Sequence, residues 1–147
     1  MEYLWCISIG YLLGCISFAT IVSKFKKVNL KEKGTKNLGA TNTMLVLGKG
    51  YGALVMVLDV LKTVLAITVS RILFPQFSAA GILTGASAVL GHICPFYLKF
   101  KGGKGLACFA GMILGAIFAG LVYVVIAIII KLVGVNWINK LMPPVVI

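Results

Sequence analysis

Tyr3-Leu-Trp-Cys-Ile-Ser-Ile-Gly-Tyr-Leu-Leu-Gly-Cys-Ile-Ser-Phe-Ala-Thr-Ile-Val22 carries no charged side chain, and its reading decides the fold class. A helix of ~20 apolar residues at 1.5 Å per residue matches the hydrocarbon thickness of a bilayer. A cleaved signal carries positive charge ahead of its apolar stretch. Here Glu2 precedes the run and Lys24, Lys26 and Lys27 follow it, so it reads as a retained spanning helix over 3–23. Further apolar runs lie at about 51–73, ending near Pro75, and at about 79–98 and 106–130. The tail, 131–147, holds Lys131, Lys140 and Pro143-Pro144, and Val145-Val146-Ile147 looks like the start of another apolar run. The chain has 147 residues, is 61% hydrophobic and contains three acidic side chains, a composition that soluble domains rarely show. The expected fold is all-α: a polytopic transmembrane helical bundle of four spans plus an incomplete C-terminal segment, with 1–147 forming a single membrane-integral domain.

The formal net charge of +11 invites a nucleic-acid reading, but the lysines sit in the gaps between apolar runs rather than on a soluble face. That placement speaks for membrane topology and anion binding, with a lipid bilayer and no nucleic acid as partner. Lys24, Lys26, Lys27, Lys31, Lys33, Lys36 and Lys49 fall in 24–50, and Lys99, Lys101 and Lys104 in 99–105. Arg71, Lys131 and Lys140 lie toward the other face. The positive-inside rule then places 24–50 and 99–105 in the cytoplasm and the N-terminus outside. Cys6, Cys15, Cys94 and Cys108 form no C-x-x-C pair, and with one histidine and three acids neither a disulfide framework, a metal site nor a cofactor is indicated.

Two of the gaps combine lysine with glycine: Gly34-Thr-Lys-Asn-Leu-Gly-Ala-Thr-Asn42 and Phe100-Lys-Gly-Gly-Lys-Gly105. Glycine lets backbone N–H groups approach a ligand and lysine supplies charge, which is what a phosphate site requires. The helices expected to open at Gly50-Tyr51-Gly52 and at Gly105 add two positive dipole ends on the same side. The 100–105 spacing is not that of a Walker A loop. Lys101 and Lys104 read as phosphate contacts or as topology anchors, Gly102 and Gly103 as the loop between them. Thr35, Asn37, Thr41 and Asn42, with Gly34 and Gly39, read as a polar cradle or as ordinary turn residues. Lys24, Lys26, Lys27, Lys31 and Lys33 read as topology charges touching anionic headgroups.

Asp59 and Lys62 fall inside the second span, roughly 12 and 16 Å from its start. Their i, i+3 spacing puts them on one face, where they can pair. They are expected either to join helices as a structural ion pair, or to support the cytoplasmic site or a path to it. His92, in Gly91-His-Ile-Cys-Pro95, lies shortly before the second basic loop. Its candidate roles are general base or hydrogen-bond partner of phosphate. Pro95 is expected to kink the end of the third span. Gly10/Gly14, Gly81/Gly85 and Gly111/Gly115 form G-x-x-x-G pairs, which let helix backbones approach closely.

Together these motifs resemble the bacterial membrane-integral glycerol-3-phosphate acyltransferases that use acyl phosphate. Residues 34–42 are similar to that family's first motif, approximately G-S-G-N-x-G-A-T-N. Gly91–Pro95 with Phe100–Gly105 is similar to the second, and Leu58-Asp-Val-Leu-Lys62 to an intramembrane D-x-x-K. Order and spacing agree from about residue 10 to 130. The resemblance implies a bacterial inner-membrane enzyme that transfers an acyl group from acyl phosphate to the 1-hydroxyl of glycerol 3-phosphate, giving lysophosphatidic acid. It implies that Thr35, Asn37 and the 34–42 backbone hold acyl phosphate, that Lys104 with Lys101 contacts phosphate, and that His92 supports the site, without a covalent acyl-enzyme. The sequence departs from the pattern at Thr35 (serine), Lys36 (glycine) and Leu45 (arginine), and the C-terminal part of the family fold is expected to be missing. Two other functions fit the residues: a non-catalytic membrane paralog that binds phosphorylated lipid or a partner, and a small transporter subunit using Asp59 and Lys62.

Overall fold

The computed structural model describes residues 1–133, and every regular element among them is helical. Of the expected tail, 131–133 belong to the last helix, and 134–147, including Lys140 and 145–147, lie outside the described residues. Helices α1 (Glu2–Cys15) and α2 (Phe18–Phe25) share the first apolar run. α3 (Ala40–Leu47) and α4 (Lys49–Leu73) follow, then α5 (Ala80–Ile93), a 3-10 turn (Phe96–Leu98) and α6 (Leu106–Val133). Glu2–Phe25, Lys49–Leu73 and Ala80–Leu98 are long and apolar enough to cross a membrane. α6, at 28 residues, exceeds the roughly 20 that a crossing needs.

The polarity of the bundle is inverted relative to a soluble protein. Leu12, Ile21, Leu61, Ile72, Ile82 and Ile113 are exposed, whereas Asp59, Lys62, Thr63, Ser70, Thr84 and His92 are buried. An apolar exterior suits hydrocarbon, and polar groups at that depth belong inside the bundle. Packing follows the small residues and is within the chain. A side chain at Gly10 or Gly14 would collide with the backbone of Thr84 or Ala88, and one at Gly91 with that of Tyr11, so α1 and α5 lie nearly backbone to backbone. Gly111 meets the carbonyl of Val60 and Gly115 the side chain of Ile67, which seats α6 on α4.

The structure corrects three expectations. The first run is not one helix: it breaks at Ile16–Ser17, where Ser17 becomes the N-cap of α2 and accepts from the Thr20 N–H. A break within a membrane is tolerated when its freed backbone groups find partners. Tyr97 supplies two, donating to the Cys15 carbonyl at 2.7 Å and accepting from the Ser17 N–H at 3.3 Å. Second, residues 40–47 form a helix rather than turns, and its Met44 packs on Gly52 in the first turns of α4. Gly48, at φ 98°, makes the corner between them. Third, Pro95 stops α5 instead of kinking it. The carbonyls of His92 and Ile93 accept from the N–H groups of Gly103 and Gly102 at 3.0 and 2.9 Å, and Cys94 accepts from the Tyr11 hydroxyl.

Candidate functional site

The deepest part of the site is a buried lysine, ion-paired to one acceptor and hydrogen-bonded to two. Lys62 Nζ lies 2.8 Å from Asp59 Oδ1, 3.0 Å from His92 Nδ1 and 2.5 Å from the Ile16 carbonyl freed by the helix break. An ammonium has three N–H donors and no lone pair, so these three acceptors match it in number. Asp59 is 1% exposed, Lys62 4% and His92 5%. Each charge alone would destabilise a spanning helix by about 2.5–3.5 kcal/mol at the bilayer centre, and pairing offsets that. The i, i+3 expectation is met, and α5 adds a third member.

The pairing decides what His92 can do. Because Lys62 has no lone pair, His92 Nδ1 takes the acceptor role toward it when the ring is neutral, which puts the ring proton on Nε2; Asp59 Oδ1 lies 3.5 Å from the same nitrogen. Nε2 faces the backbone of Gly103, where a Cβ would overlap it. In that tautomer the ring presents its N–H toward the Gly103 turn, which suits the hydrogen-bonding role. Cys108 Sγ also approaches, at 3.5 Å from the Asp59 carbonyl. Asp59, His92 and Cys108 hold their ligand atoms within 4.8 Å of one another, a spacing that could suit a metal. Lys62 already provides the cation to the carboxylate and the imidazole. The same burial weighs against a transporter subunit, which needs its ionisable pair open to a path.

The two basic loops meet directly above this cluster. Gly103 packs between the His92 ring and the Leu38 carbonyl, so the second loop touches the middle of the first motif. Asn37 and Gly39 flank Leu38; Lys104 follows Gly103. Gly105, at φ 80°, then turns the chain into α6. The helix N-terminus beside Leu38 is that of α3, capped by Gly39, and not the expected start at Gly50–Gly52. α3 and α6 therefore bring their unpaired N-terminal N–H groups to the loop contact.

Within the first motif the residues divide by role. Asn42 is fully buried and holds the loop: its Oδ1 accepts from the Thr35 N–H at 2.7 Å, and its Nδ2 donates to the carbonyls of Leu30 and Lys33 at 2.9 and 3.1 Å. Gly34, at φ 60°, passes so close to Asn42 that a Cβ would strike the amide. Lys36 keeps the left-handed conformation (φ 59°) at the position where the resembling family has glycine. Thr35, Thr41, Lys101 and Lys104 are exposed, and Asn37 is half-buried. No hydrogen bond or ion pair among the described residues engages the side chains of Thr35, Asn37, Lys101 or Lys104. They remain available to a ligand. Gly102 and Gly103 form the loop between the two lysines, and their N–H groups cap α5 by donating to the carbonyls of Ile93 and His92. Leu45 is 65% exposed on α3.

The sequence reading missed Tyr97 and Ser17, which build the helix break beneath this cluster. The S-x-x-T spacing from Ser17 to Thr20 was the available signal for it.

Residues 4–142 match the family model described as glycerol-3-phosphate acyltransferase. The glycerol-3-phosphate acyltransferase of Halalkalibacterium halodurans is 43% identical over 133 residues, covering 83% of this chain and 63% of that protein. That of Aquifex aeolicus is 41% identical over 113 residues, covering 77% and 59%. Among solved structures, PlsY (YgiH), an integral membrane glycerol 3-phosphate acyltransferase, in its glycerol 3-phosphate form, superposes with a TM-score of 0.71 at 36% identity, covering 89% of this chain and 66% of that one. Its lysophosphatidic acid form gives 0.69 at 37% identity, covering 86% and 65%. The chain thus spans somewhat under two thirds of the length of these proteins.

Proposed function

As the chain belongs to the glycerol-3-phosphate acyltransferase family of integral membrane proteins, we propose that it serves the transfer of a fatty acyl group from acyl phosphate to the 1-hydroxyl of glycerol 3-phosphate. The hydroxyl oxygen attacks the acyl carbonyl carbon, the bond from that carbon to the phosphate oxygen breaks, and the hydroxyl proton leaves with inorganic phosphate. The product is lysophosphatidic acid. Both substrates carry phosphate, and one carries a chain that must lie in the bilayer, so a polar site opening at a membrane face suits them.

The observation that carries this reading is the contact of the two basic loops at Leu38, Gly103 and His92, with four polar side chains beside it unengaged. Thr35, Asn37 and the start of α3 take the acyl phosphate. Lys104, with Lys101 near it in the chain, neutralises phosphate. His92, held by Lys62 and Asp59, keeps the Gly103 turn in place. Catalysis on this arrangement is positioning and charge stabilisation, with no covalent intermediate. The site lies at the cytoplasmic face of the cell membrane, with the N-terminus outside.

Leu45 favours one second reading, a paralog that binds phosphorylated lipid without turning it over. An exposed leucine stands where the resembling family has an arginine that would add a phosphate ligand. The test is direct. Purified chain is incubated with acyl phosphate and labelled glycerol 3-phosphate, alone and lengthened by any downstream reading frame, and lysophosphatidic acid is measured. Product from either form supports acyl transfer; none from both contradicts it. Leu45→Arg, on an exposed helix face, is expected to raise the rate about tenfold, the worth of one charge-assisted contact. No gain would show that Leu45 does not limit the reaction.

A further inference from the structure

A second basic site lies at the end of α2, on the side of Leu38 away from Gly103 in the chain and lined by lysines that the loop contact does not use. A cavity of about 420 Å³ is lined there by Lys24, Lys27 and Lys31, with Thr20, Leu38 and Leu98 among its other walls. Its volume is that of small-ligand pockets in general. No acidic residue lines it, and among the described residues no carboxylate pairs with any of its three lysines. Asp59 is already engaged by Lys62.

The local chain geometry is built to hold a lysine where glycine would be easier. α2 ends in a Schellman turn: the Val28 N–H reaches the Ser23 carbonyl at 3.0 Å and the Lys27 N–H the Lys24 carbonyl at 3.1 Å. In that turn the penultimate residue adopts the left-handed conformation, usually as glycine, and here Lys27 does so at φ 54°. The turn is fastened further by the Ser23 hydroxyl, which donates to the Val28 carbonyl. Lys31 is set by its own N–H bonding to Asn29 Oδ1 at 3.1 Å. A topology charge could sit anywhere on this face; a lysine kept in a strained turn beside two others points to a task.

We propose that this cavity binds the phosphate of an anionic, glycerol-based headgroup, separately from the acyl-transfer site. Three ammonium groups, none ion-paired among the described residues, select the anion, and Val28, Leu38 and Leu98 offer an apolar wall to an attached glycerol ester. The inference does not rest on the acyltransferase reading, since Lys24, Lys27 and Lys31 take no part in it.

The full chain in neutral detergent is titrated calorimetrically with dihexanoyl phosphatidic acid and, separately, with inorganic phosphate, in a Lys104→Ala background that weakens the other phosphate site. Lys27→Gly is the informative variant, because glycine suits the turn and leaves folding intact. It is expected to weaken binding about fivefold while the unfolding temperature holds or rises. Lys24→Gln/Lys27→Gly/Lys31→Gln should weaken it more than tenfold. Tighter binding of the lipid than of phosphate identifies a membrane source; equal binding of the two, lost together in the triple variant, supports the site with a soluble phosphate as occupant. Unchanged binding in the triple variant overturns the proposal.

Discussion

The two glycine-and-lysine loops look alike in composition and are built on different physics. In the first, 26–39, the chain is held by a side chain: Asn42 reaches back from α3 to three backbone groups, and Gly34 leaves room for it. In the second, 99–105, the chain is held by its own backbone: Gly102 and Gly103 donate to the last carbonyls of α5 and press against His92. The first loop ends in a helix N-terminus with free N–H groups, and the second uses its N–H groups before reaching α6. Glycine beside lysine is therefore not one signal. It marks a tied loop in one place and a helix cap in the other, and the side chains left unengaged, Thr35, Asn37, Lys101 and Lys104, are the ones proposed to meet the ligand.

The contrast can be broken most severely at Asn42. Asn42→Ala removes three hydrogen bonds at a fully buried position and is expected to destabilise the protein by about 3 kcal/mol, read as unfolding in a detergent or nanodisc melt. A loss under about 0.5 kcal/mol would mean the first loop is held by something else. Gly103→Ala comes next. Its methyl meets the His92 ring and the Leu38 carbonyl, so about 1–3 kcal/mol is expected, with the two loops forced apart. Limited proteolysis of the folded Gly103→Ala variant should then cut within 99–105, which it should not do in the wild type under the same conditions. The smallest effect sharpens the comparison. Lys36→Gly relieves a left-handed lysine in the first loop and should stabilise by about 0.4–1 kcal/mol, a small upward shift in melting temperature. A decrease would show that the Lys36 side chain makes a contact that offsets its backbone strain.

The spans were legible because an uncharged run of bilayer length has few alternatives, and the Asp59–Lys62 pair because i, i+3 spacing fixes a shared helix face. The break at Ile16–Ser17 was marked only by the Ser17-x-x-Thr20 spacing, a weak signal because isoleucine and serine are both ordinary in a membrane helix. What stabilises it are Lys62 and Tyr97, distant in sequence and brought close only by packing. His92 as the third partner of Lys62 was hidden for the same reason. Composition announced the loops but could not say whether their N–H groups point to a ligand or to a helix end. α3 was obscured by a motif that reads equally well as turn chemistry. The glycine pairs foretold close helix approach, and only the fold showed that α1 meets α5 and α6 meets α4 within one chain.

The central claim is that the side chains left free at the junction of the loops grip phosphate. Equilibrium binding of labelled glycerol 3-phosphate to the purified chain tests it, in the wild type and in Lys104→Ala. Saturable binding that falls at least about tenfold in the variant, as loss of a charge-assisted contact requires, is the expected result. Equal affinity in the two proteins would contradict the account.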